Sequence, residues 1–139
     1  MVSPWRPVRL LGASLASWLA AAADLLGDRF VVYCGDVLTD MDLKAMIGYH
    51  ANQNAICTLA MSTAVLIEYG VGRVQCDGRL NYFEEKPILK EYPVSMGIHV
   101  IDKEALPYCR PNTDLAHDVI PRLIRDQKGV YACLTGKRH

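Results

Sequence analysis

The sequence lacks an excess of charge of either sign. Its 139 residues hold 15 lysines and arginines against 15 aspartates and glutamates, and no basic run is longer than Lys137-Arg138-His139. Nucleic acids and anionic membrane surfaces attract proteins whose basic residues are clustered. We therefore expect neither a nucleic acid nor a membrane as a partner, and the apolar run near the N-terminus is too short to span a bilayer.

Paired cysteines are missing as well. An odd number of single cysteines, without the spacing of metal ligands, favours buried free thiols in a reducing compartment and argues against a zinc site. The predicted location is therefore cytoplasmic. The five cysteines are Cys34, Cys57, Cys76, Cys109 and Cys133.

The chain also lacks internal repeats, low-complexity segments and linkers. Its length suits a single domain that can bury a substantial core. Residues 1–9, which include Pro4 and Pro7, are predicted to be irregular, and the folded domain is expected over residues 10–139.

Two interpretations compete for the N-terminal region. Arg6 and Arg9 precede an apolar run over residues 10–23, which is the order of a secretory signal. However, apolar side chains also recur at the i, i+3, i+4, i+7 spacing of a helix packed on a core, and Gly27-Asp28 supplies a C-terminal stop. We favour the helix because no linker separates it from the strand that follows. Its apolar positions are Leu15, Trp18, Leu19, Ala22, Leu25 and Leu26.

The stretch from Phe30 to Asp36 organises the prediction for the rest of the chain. Five apolar or aromatic residues followed by Gly35 and Asp36 predict a fully buried strand with a carboxylate at its C-terminal end. Open α/β sheets bind ligands at that edge, and Mg²⁺ is commonly shared there between a carboxylate and substrate phosphates. Asp36 is therefore a candidate metal ligand, and the alternative is that it caps the turn toward the next helix.

After this strand the chain alternates helices and strands, as α/β proteins do. Asp77-Gly78 lies between two alternating segments and predicts a hairpin with a two-residue type I′ turn. His117-Asp118 is an acid-base neighbour pair, but residues at i and i+1 do not face each other on a helix, so cap or surface roles are expected. The other predicted elements are a helix from the Asp42 cap to residues 52–54, strands over 55–61, 95–102 and 130–134, a short helix over 103–109, and a helix over 114–127 interrupted near Pro121.

Several short motifs are distributed from Leu10 to the C-terminus. They are Leu11–Ser14, Leu25–Phe30, Gly35-Asp36, Glu68–Val71, Asp77–Arg79, Glu84–Pro87, Met96–Val100 and Asp118–Pro121. Each motif is common alone, but in this order and spacing they resemble the nucleotidyltransferases that make nucleotide sugars, such as mannose-1-phosphate guanylyltransferases and glucose-1-phosphate thymidylyltransferases. The resemblance implies a Rossmann-like α/β domain with a mixed, mostly parallel sheet flanked by helices.

The resemblance also implies the chemistry. In these enzymes a sugar 1-phosphate attacks the α-phosphorus of a nucleoside triphosphate, giving a nucleotide sugar and pyrophosphate. Asp36 matches the carboxylate that binds Mg²⁺, and Lys86 matches the lysine that holds the sugar phosphate; both are the predicted catalytic residues. Glu85 matches the carboxylate that contacts sugar hydroxyls, and Gly70 matches the glycine whose backbone approaches the sugar. Gly12 resembles the glycine near the nucleotide base.

Further matches and departures complete the comparison with this family. Ser95 and Gly97 are assigned to substrate binding by the resemblance, with Ser95 standing where the family often has asparagine. The G-x-G-x-R loop that wraps the triphosphate does not precede Gly12, and a second metal-binding aspartate does not follow the strand over 130–134. We therefore expect an incomplete nucleotidyltransferase domain over 10–139, truncated at both ends and nearly inactive by itself. The exposed strand edge is expected to favour association, as in a homo-oligomer, or poor folding. The alternative is a non-catalytic sugar-nucleotide-binding or regulatory module.

Overall fold

The computed structural model describes residues 14–135. Helices span Leu15–Ala21 (α1), Leu43–Asn52 (α2) and Ile120–Arg125 (α3). Short 3₁₀ segments cover Ala23–Leu25 and Lys103–Tyr108, and a π-helical turn covers Leu115–Val119. The strands are Arg29–Tyr33 (β1), Cys57–Ser62 (β2), Val65–Leu66 (β3), Val71–Val74 (β4), Leu80–Glu84 (β5), Ile88–Leu89 (β6), Val94–Asp102 (β7) and Val130–Thr135 (β8).

A four-stranded mixed sheet forms the centre of the fold, in the order β1-β7-β2-β8. Strands β1, β2 and β8 run in the same direction, because β7 is antiparallel to both β1 and β2 while β2 and β8 pair in parallel. This confirms the predicted Rossmann-like sheet flanked by helices. The carboxyl ends of β1, β2 and β8 consequently lie at one edge, which we call the C-terminal edge.

Strand β1 is less buried than the sequence indicates. Phe30 and Val32 pack against the core, but Val31 and Tyr33 are 38% and 40% exposed on the opposite face. The prediction of a fully buried strand was therefore wrong for the part of the chain that the structure describes. The reason is position: β1 pairs only with β7 there, so it forms one side of the described sheet.

The two faces of the sheet carry separate apolar cores. On one face, Ala16 and Leu19 of α1 pack with Ile101 of β7 and Leu123 of α3. On the other face, Met46 of α2 is fully buried together with buried residues of β2 and β7, including Ala60, Ile98 and Val100. Full burial of an apolar side chain of this size contributes about 1.5–3 kcal/mol, so both helical layers stabilise the sheet.

The N-terminal helix is shorter than predicted. Ser14 caps α1, since its hydroxyl accepts a hydrogen bond from the Ser17 backbone N–H. Beyond Ala22 the chain continues as the tighter 3₁₀ segment Ala23–Leu25. This segment turns the Leu25 side chain away from the core, so that the residue is 78% exposed. Leu25 is thus not a core residue, because helical periodicity holds only while the helix continues.

The hairpin β4–β5 forms where Asp77-Gly78 predicted it, but its turn differs. A type I′ turn needs positive φ at both central residues, and only Gly78, at +86°, has it. The Gly78 N–H donates to the Gln75 carbonyl, and the Gln75 N–H donates to the Arg79 carbonyl. The register between β4 and β5 then shifts by one residue between Arg73 and Val74. The turn is therefore longer than the predicted two-residue turn and ends in a β-bulge.

The cysteines are free thiols, as expected, but they are not all buried. Cys57 and Cys109 are buried, and burial raises the pKa of Cys57 to about 12. Cys76 is exposed in the hairpin turn. Within residues 14–135, none of the helices combines the length and apolarity needed to cross a bilayer.

A buried polar network that the sequence did not predict joins both sides of β7. His50 of α2 has no exposed surface, and its Nε2 lies 2.8 Å from Oδ1 of Asp102. Its Nδ1 lies 2.8 Å from the hydroxyl of buried Thr58, and Arg29 Nε donates to Asp102 over 2.7 Å. Because an ionised carboxylate only accepts, the ring proton lies on Nε2. The network ties α2 to β1, β2 and β7.

We expect this network to make the fold sensitive to acid. Desolvation raises the pKa of Asp102, but hydrogen bonds from Arg29 and His50 outweigh it and hold the pKa below the ordinary 3.8. The contribution of Asp102 to stability is therefore present above its unfolded pKa and is lost as the pH falls through the folded value. Urea unfolding across the acid range should show this loss. In Asp102→Asn, the free energy of unfolding should fall less steeply as the pH is lowered, whereas Asp24→Asn, at an exposed site, should show the same pH dependence as the wild type. An equally steep fall in the wild type and in Asp102→Asn would contradict the role of Asp102.

Candidate active site at the C-terminal edge of the sheet

Asp36 lies where the sequence predicted, in a turn just past the end of β1. Its carboxylate is exposed and has no hydrogen-bond or ion-pair partner among residues 14–135. The capping alternative does not describe it, because Asp42 caps α2 by accepting from the Ala45 N–H over 3.0 Å. Among residues 14–135, the Asp36 carboxylate is therefore exposed and unpartnered at the C-terminal edge, as a candidate metal ligand would be.

Gly97 brings the Asp36 turn against β7. The Cys34 N–H donates to the Gly97 carbonyl over 3.0 Å, extending the β1–β7 pairing by one residue. Gly97 has φ of +74°, and β7 bulges here: Leu59 pairs with His99, while Met61 already pairs with Ser95. The bulge turns the start of β7 toward the Asp36 turn, so Gly97 and Ser95 lie beside the candidate metal ligand.

Replacing Gly97 with Ala should destabilise the protein by about 1–3 kcal/mol. A Cβ there would lie 3.0 Å from Cys34 Sγ and 3.2 Å from its Cβ, in a backbone conformation that L side chains rarely adopt. Urea unfolding measures the change. Gly48→Ala is the matched control: nothing lies within 4 Å of its Cβ position in α2, so it should stabilise by about 0.5–1 kcal/mol. Equal effects at the two positions would contradict the role of Gly97.

A cavity of about 230 Å³ opens next to this turn. It lies at the ends of β1 and β2 and at the start of β7, which is the position where open α/β sheets bind ligands. Its lining combines four apolar side chains with two hydroxyls: Val37, Val65, Val94, Met96, Ser62 and Ser95. Of these, the sequence analysis assigned only Ser95 to substrate binding, and Met96 opens the Met96–Val100 motif. The other four residues belong to no motif of the sequence analysis.

Gly70 and Glu85 are brought together at the base of the hairpin. A Cβ on Gly70 would lie 2.4 Å from Cζ of Phe83 and 2.9 Å from Oε2 of Glu85. A side chain at this position would have to displace the Phe83 ring and the Glu85 carboxylate, neighbours that the sequence did not reveal. The glycine leaves Glu85 exposed beside a bare backbone segment.

Lys86 has an unusual backbone. Its φ is +49°, a conformation that costs energy for a side-chain-bearing residue and that is concentrated at functional sites. The next residue, Pro87, is buried, and its carbonyl accepts from the Ile67 N–H over 2.9 Å. This anchors Lys86 beside the two-stranded ribbon β3–β6, whose Val65 lines the cavity.

The structure thus forms two neighbouring groups from the predicted site residues. Asp36, Ser95 and Gly97 lie together at the sheet edge, and Gly70, Glu85 and Lys86 lie on the hairpin side of the β3–β6 ribbon. Gly12 lies outside the described residues. Within 14–135, no three His, Cys, Asp or Glu side chains cluster closely enough to hold a metal by themselves. A cation at Asp36 would therefore need further ligands from outside these side chains.

Comparisons with known proteins identify the family of the chain. The profile of the family described as nucleotidyl transferase matches residues 7–138. The chain is 32% identical over 113 residues to a UTP–glucose-1-phosphate uridylyltransferase of Synechocystis sp., covering 76% of this chain and 29% of the relative. It is 29% identical over 114 residues to a glucose-1-phosphate adenylyltransferase of Clostridium acetobutylicum, covering 73% of this chain and 30% of the relative.

Solved structures show the same fold. The crystal structure of HddC from Yersinia pseudotuberculosis matches with a TM-score of 0.58 and 19% identity, over 88% of this chain and 53% of that one. A putative glucose-1-phosphate thymidylyltransferase from Bacillus anthracis, in complex with a sucrose, matches with a TM-score of 0.58 and 20% identity, over 94% of this chain and 56% of that one. The chain spans less than a third of the two curated relatives and just over half of these structures. By its sequence profile and its fold, the chain belongs to the nucleotidyl transferase family.

Proposed function

We propose that the protein to which this chain belongs transfers a nucleotidyl group from a nucleoside triphosphate to a sugar 1-phosphate, releasing pyrophosphate. The observation that carries the proposal is the exposed Asp36 carboxylate at the C-terminal edge of the sheet, which has no partner among residues 14–135 and lies beside a cavity in a chain of this family. Relatives named for glucose 1-phosphate support the substrate class. The free, widely spaced cysteines support a cytoplasmic location.

The reaction needs position and charge neutralisation more than covalent help from the protein. An oxygen of the sugar phosphate attacks the α-phosphorus in line, and pyrophosphate leaves. Lys86 is exposed and free of partners among the described residues, so its ammonium can hold the attacking phosphate. Glu85 can accept hydrogen bonds from sugar hydroxyls next to the Gly70 backbone, while Ser95 and Gly97 border the sugar on the opposite side. Gly12 is proposed to lie near the base.

The residues at the site fit a divalent cation shared with substrate. Asp36 offers carboxylate oxygens to solvent at the sheet edge, and we propose Mg²⁺ because it prefers oxygen ligands and binds through few carboxylates plus phosphates. When bound, Mg²⁺ would neutralise charge on the phosphate oxygens. The contribution of the chain is to fix Asp36 through the Cys34–Gly97 hydrogen bond and the bulge of β7.

The proposal is tested on the complete native protein, by measuring pyrophosphate release from pairs of nucleoside triphosphates and sugar 1-phosphates with Mg²⁺. Binding of each sugar 1-phosphate is measured in parallel by calorimetry. Turnover with one pair confirms the proposal. Binding without turnover in the complete native protein would replace it with a non-catalytic binding module, and absence of both would overturn it.

Lys86→Gln should weaken binding of the sugar 1-phosphate about tenfold or more, because a charge-assisted contact to phosphate is lost. The same calorimetric titration measures the change. Lys90→Gln, at an exposed lysine just after β6, is the matched control and should bind as the wild type does. If both variants bind equally well, Lys86 does not hold the phosphate.

A further inference from the structure

A second cavity lies away from the candidate active site. Its volume is about 330 Å³, and it opens between the 3₁₀ segment that ends at Tyr108, the turn that follows, and α3. The lining is dominated by guanidinium groups: Pro107, Tyr108, Arg110, Arg122, Arg125 and Asp126. Three arginines around one cavity repel one another unless an anion lies among them.

The single carboxylate of the lining does not balance these charges. Both oxygens of Asp126 are engaged: the Tyr108 hydroxyl donates to Oδ2 over 2.8 Å, and Arg125 Nε lies 3.3 Å from Oδ1. Arg122 approaches Asp118 only at 4.0 Å, and the Arg110 side chain has no partner among residues 14–135. Two guanidiniums therefore keep unused donors at the cavity, and the lining carries a surplus of two positive charges.

The cavity wall is held by interactions independent of any ligand. The Arg110 backbone is locked to Thr113, which is 8% exposed: its hydroxyl donates to the Arg110 carbonyl over 2.6 Å and accepts from the Arg110 N–H over 3.1 Å. The bond from Tyr108 to Asp126 joins the 3₁₀ segment to the end of α3. The backbone and the Tyr108–Asp126 contact therefore form the cavity wall without a ligand, while the arginine side chains remain free to turn toward one.

We propose that this arginine-lined cavity binds a phosphate group, either free or carried by a small metabolite. A phosphate is anionic at neutral pH, and its oxygens suit the planar fork of arginine.

The site is distinct from the candidate active site. Asp126 precedes β8 by a few residues, so the cavity lies toward the amino-terminal end of that strand, whereas Asp36 and its cavity lie at the C-terminal edge. The proposal therefore stands independently of the proposed function.

Calorimetric titration with inorganic phosphate and with pyrophosphate, at constant ionic strength, tests the proposal. It is done in the Lys86→Gln background so that the candidate active site does not contribute. We expect saturable binding that weakens at least tenfold in Arg110→Gln and in Arg122→Gln. Arg110→Lys keeps the charge but loses the fork, and should weaken binding severalfold. If a sugar 1-phosphate also binds, and its binding weakens in the same arginine variants, the cavity accepts a phosphate group that is carried by a metabolite.

Arg79→Gln is the matched control, because Arg79 is 77% exposed on the hairpin turn and far from this cavity in the fold. It should bind phosphate as the parent does. Circular dichroism checks that each variant is folded, and the two independent glutamine variants guard against a local defect in either one. Equal losses in Arg79→Gln and Arg110→Gln, or no saturable binding in the parent, would overturn the proposal.

Discussion

Asp36→Asn is expected to lower pyrophosphate release by about 10²–10³-fold, or about 3–4 kcal/mol of transition-state stabilisation. Asparagine keeps the size and the turn but removes the negative charge that would hold a cation against the phosphates. Because Asp36 is exposed and has no partner among the described residues, its loss should hardly change the free energy of unfolding. A steady-state assay over a series of Mg²⁺ concentrations measures the effect.

The dependence of activity on Mg²⁺ concentration distinguishes the loss of a metal ligand from a general loss of folded structure. Asp36→Asn should need more Mg²⁺ for half-maximal activity, whereas Asp24→Asn, at an exposed carboxylate before β1, should match the wild type in both rate and Mg²⁺ dependence. An Asp36 variant with full activity at unchanged Mg²⁺ dependence would remove this residue from the mechanism.

His50→Ala is expected to destabilise the fold by about 3–5 kcal/mol. The side chain is fully buried, so its removal leaves a cavity, and it also leaves the buried Thr58 hydroxyl and the Asp102 carboxylate without a shared partner. A loss of this size is a large part of the stability of an ordinary domain. Urea unfolding at neutral pH measures the free-energy change.

His117→Ala provides the matched control for this substitution. His117 is exposed at the start of the helical segment, and only its backbone N–H takes part in the Asp114 cap. Its replacement should therefore change the free energy of unfolding by no more than about 0.5 kcal/mol. Similar losses for the two histidines would show that the network around His50 contributes little.

The order and type of the main elements were predictable because each has a strong local signal. Asp42 before an amphipathic run predicted α2, and the cap is observed. Apolar runs of strand length predicted β2, β7 and β8, and Asp114 does cap the helical segment that is interrupted before Pro121. Propensity, capping and periodicity act within a few residues, so they can be read without knowing the partners.

The candidate site was predictable only in part. Asp36 was assigned from its place after a strand, and Lys86 and Glu85 from a family resemblance. Most of the lining of the adjacent cavity was missed, Ser95 excepted, because it comes from segments far apart in sequence: the turn after β1, and strands β2, β3 and β7. The Gly78 turn was assigned to the wrong type because Asp77-Gly78 is compatible with more than one hairpin geometry.

By itself, the sequence determined the α/β class, the Asp42 cap of α2, the hairpin and the carboxylate that follows β1, since these depend on neighbouring residues. Only the tertiary structure decided how far β1 is buried, where β7 bulges at Gly97, and that His50 meets Asp102 and Thr58. It also decided that three arginines from two segments surround one cavity. The physical reason is that burial, strand register and charge clustering are set by contacts between distant segments, which no local pattern records.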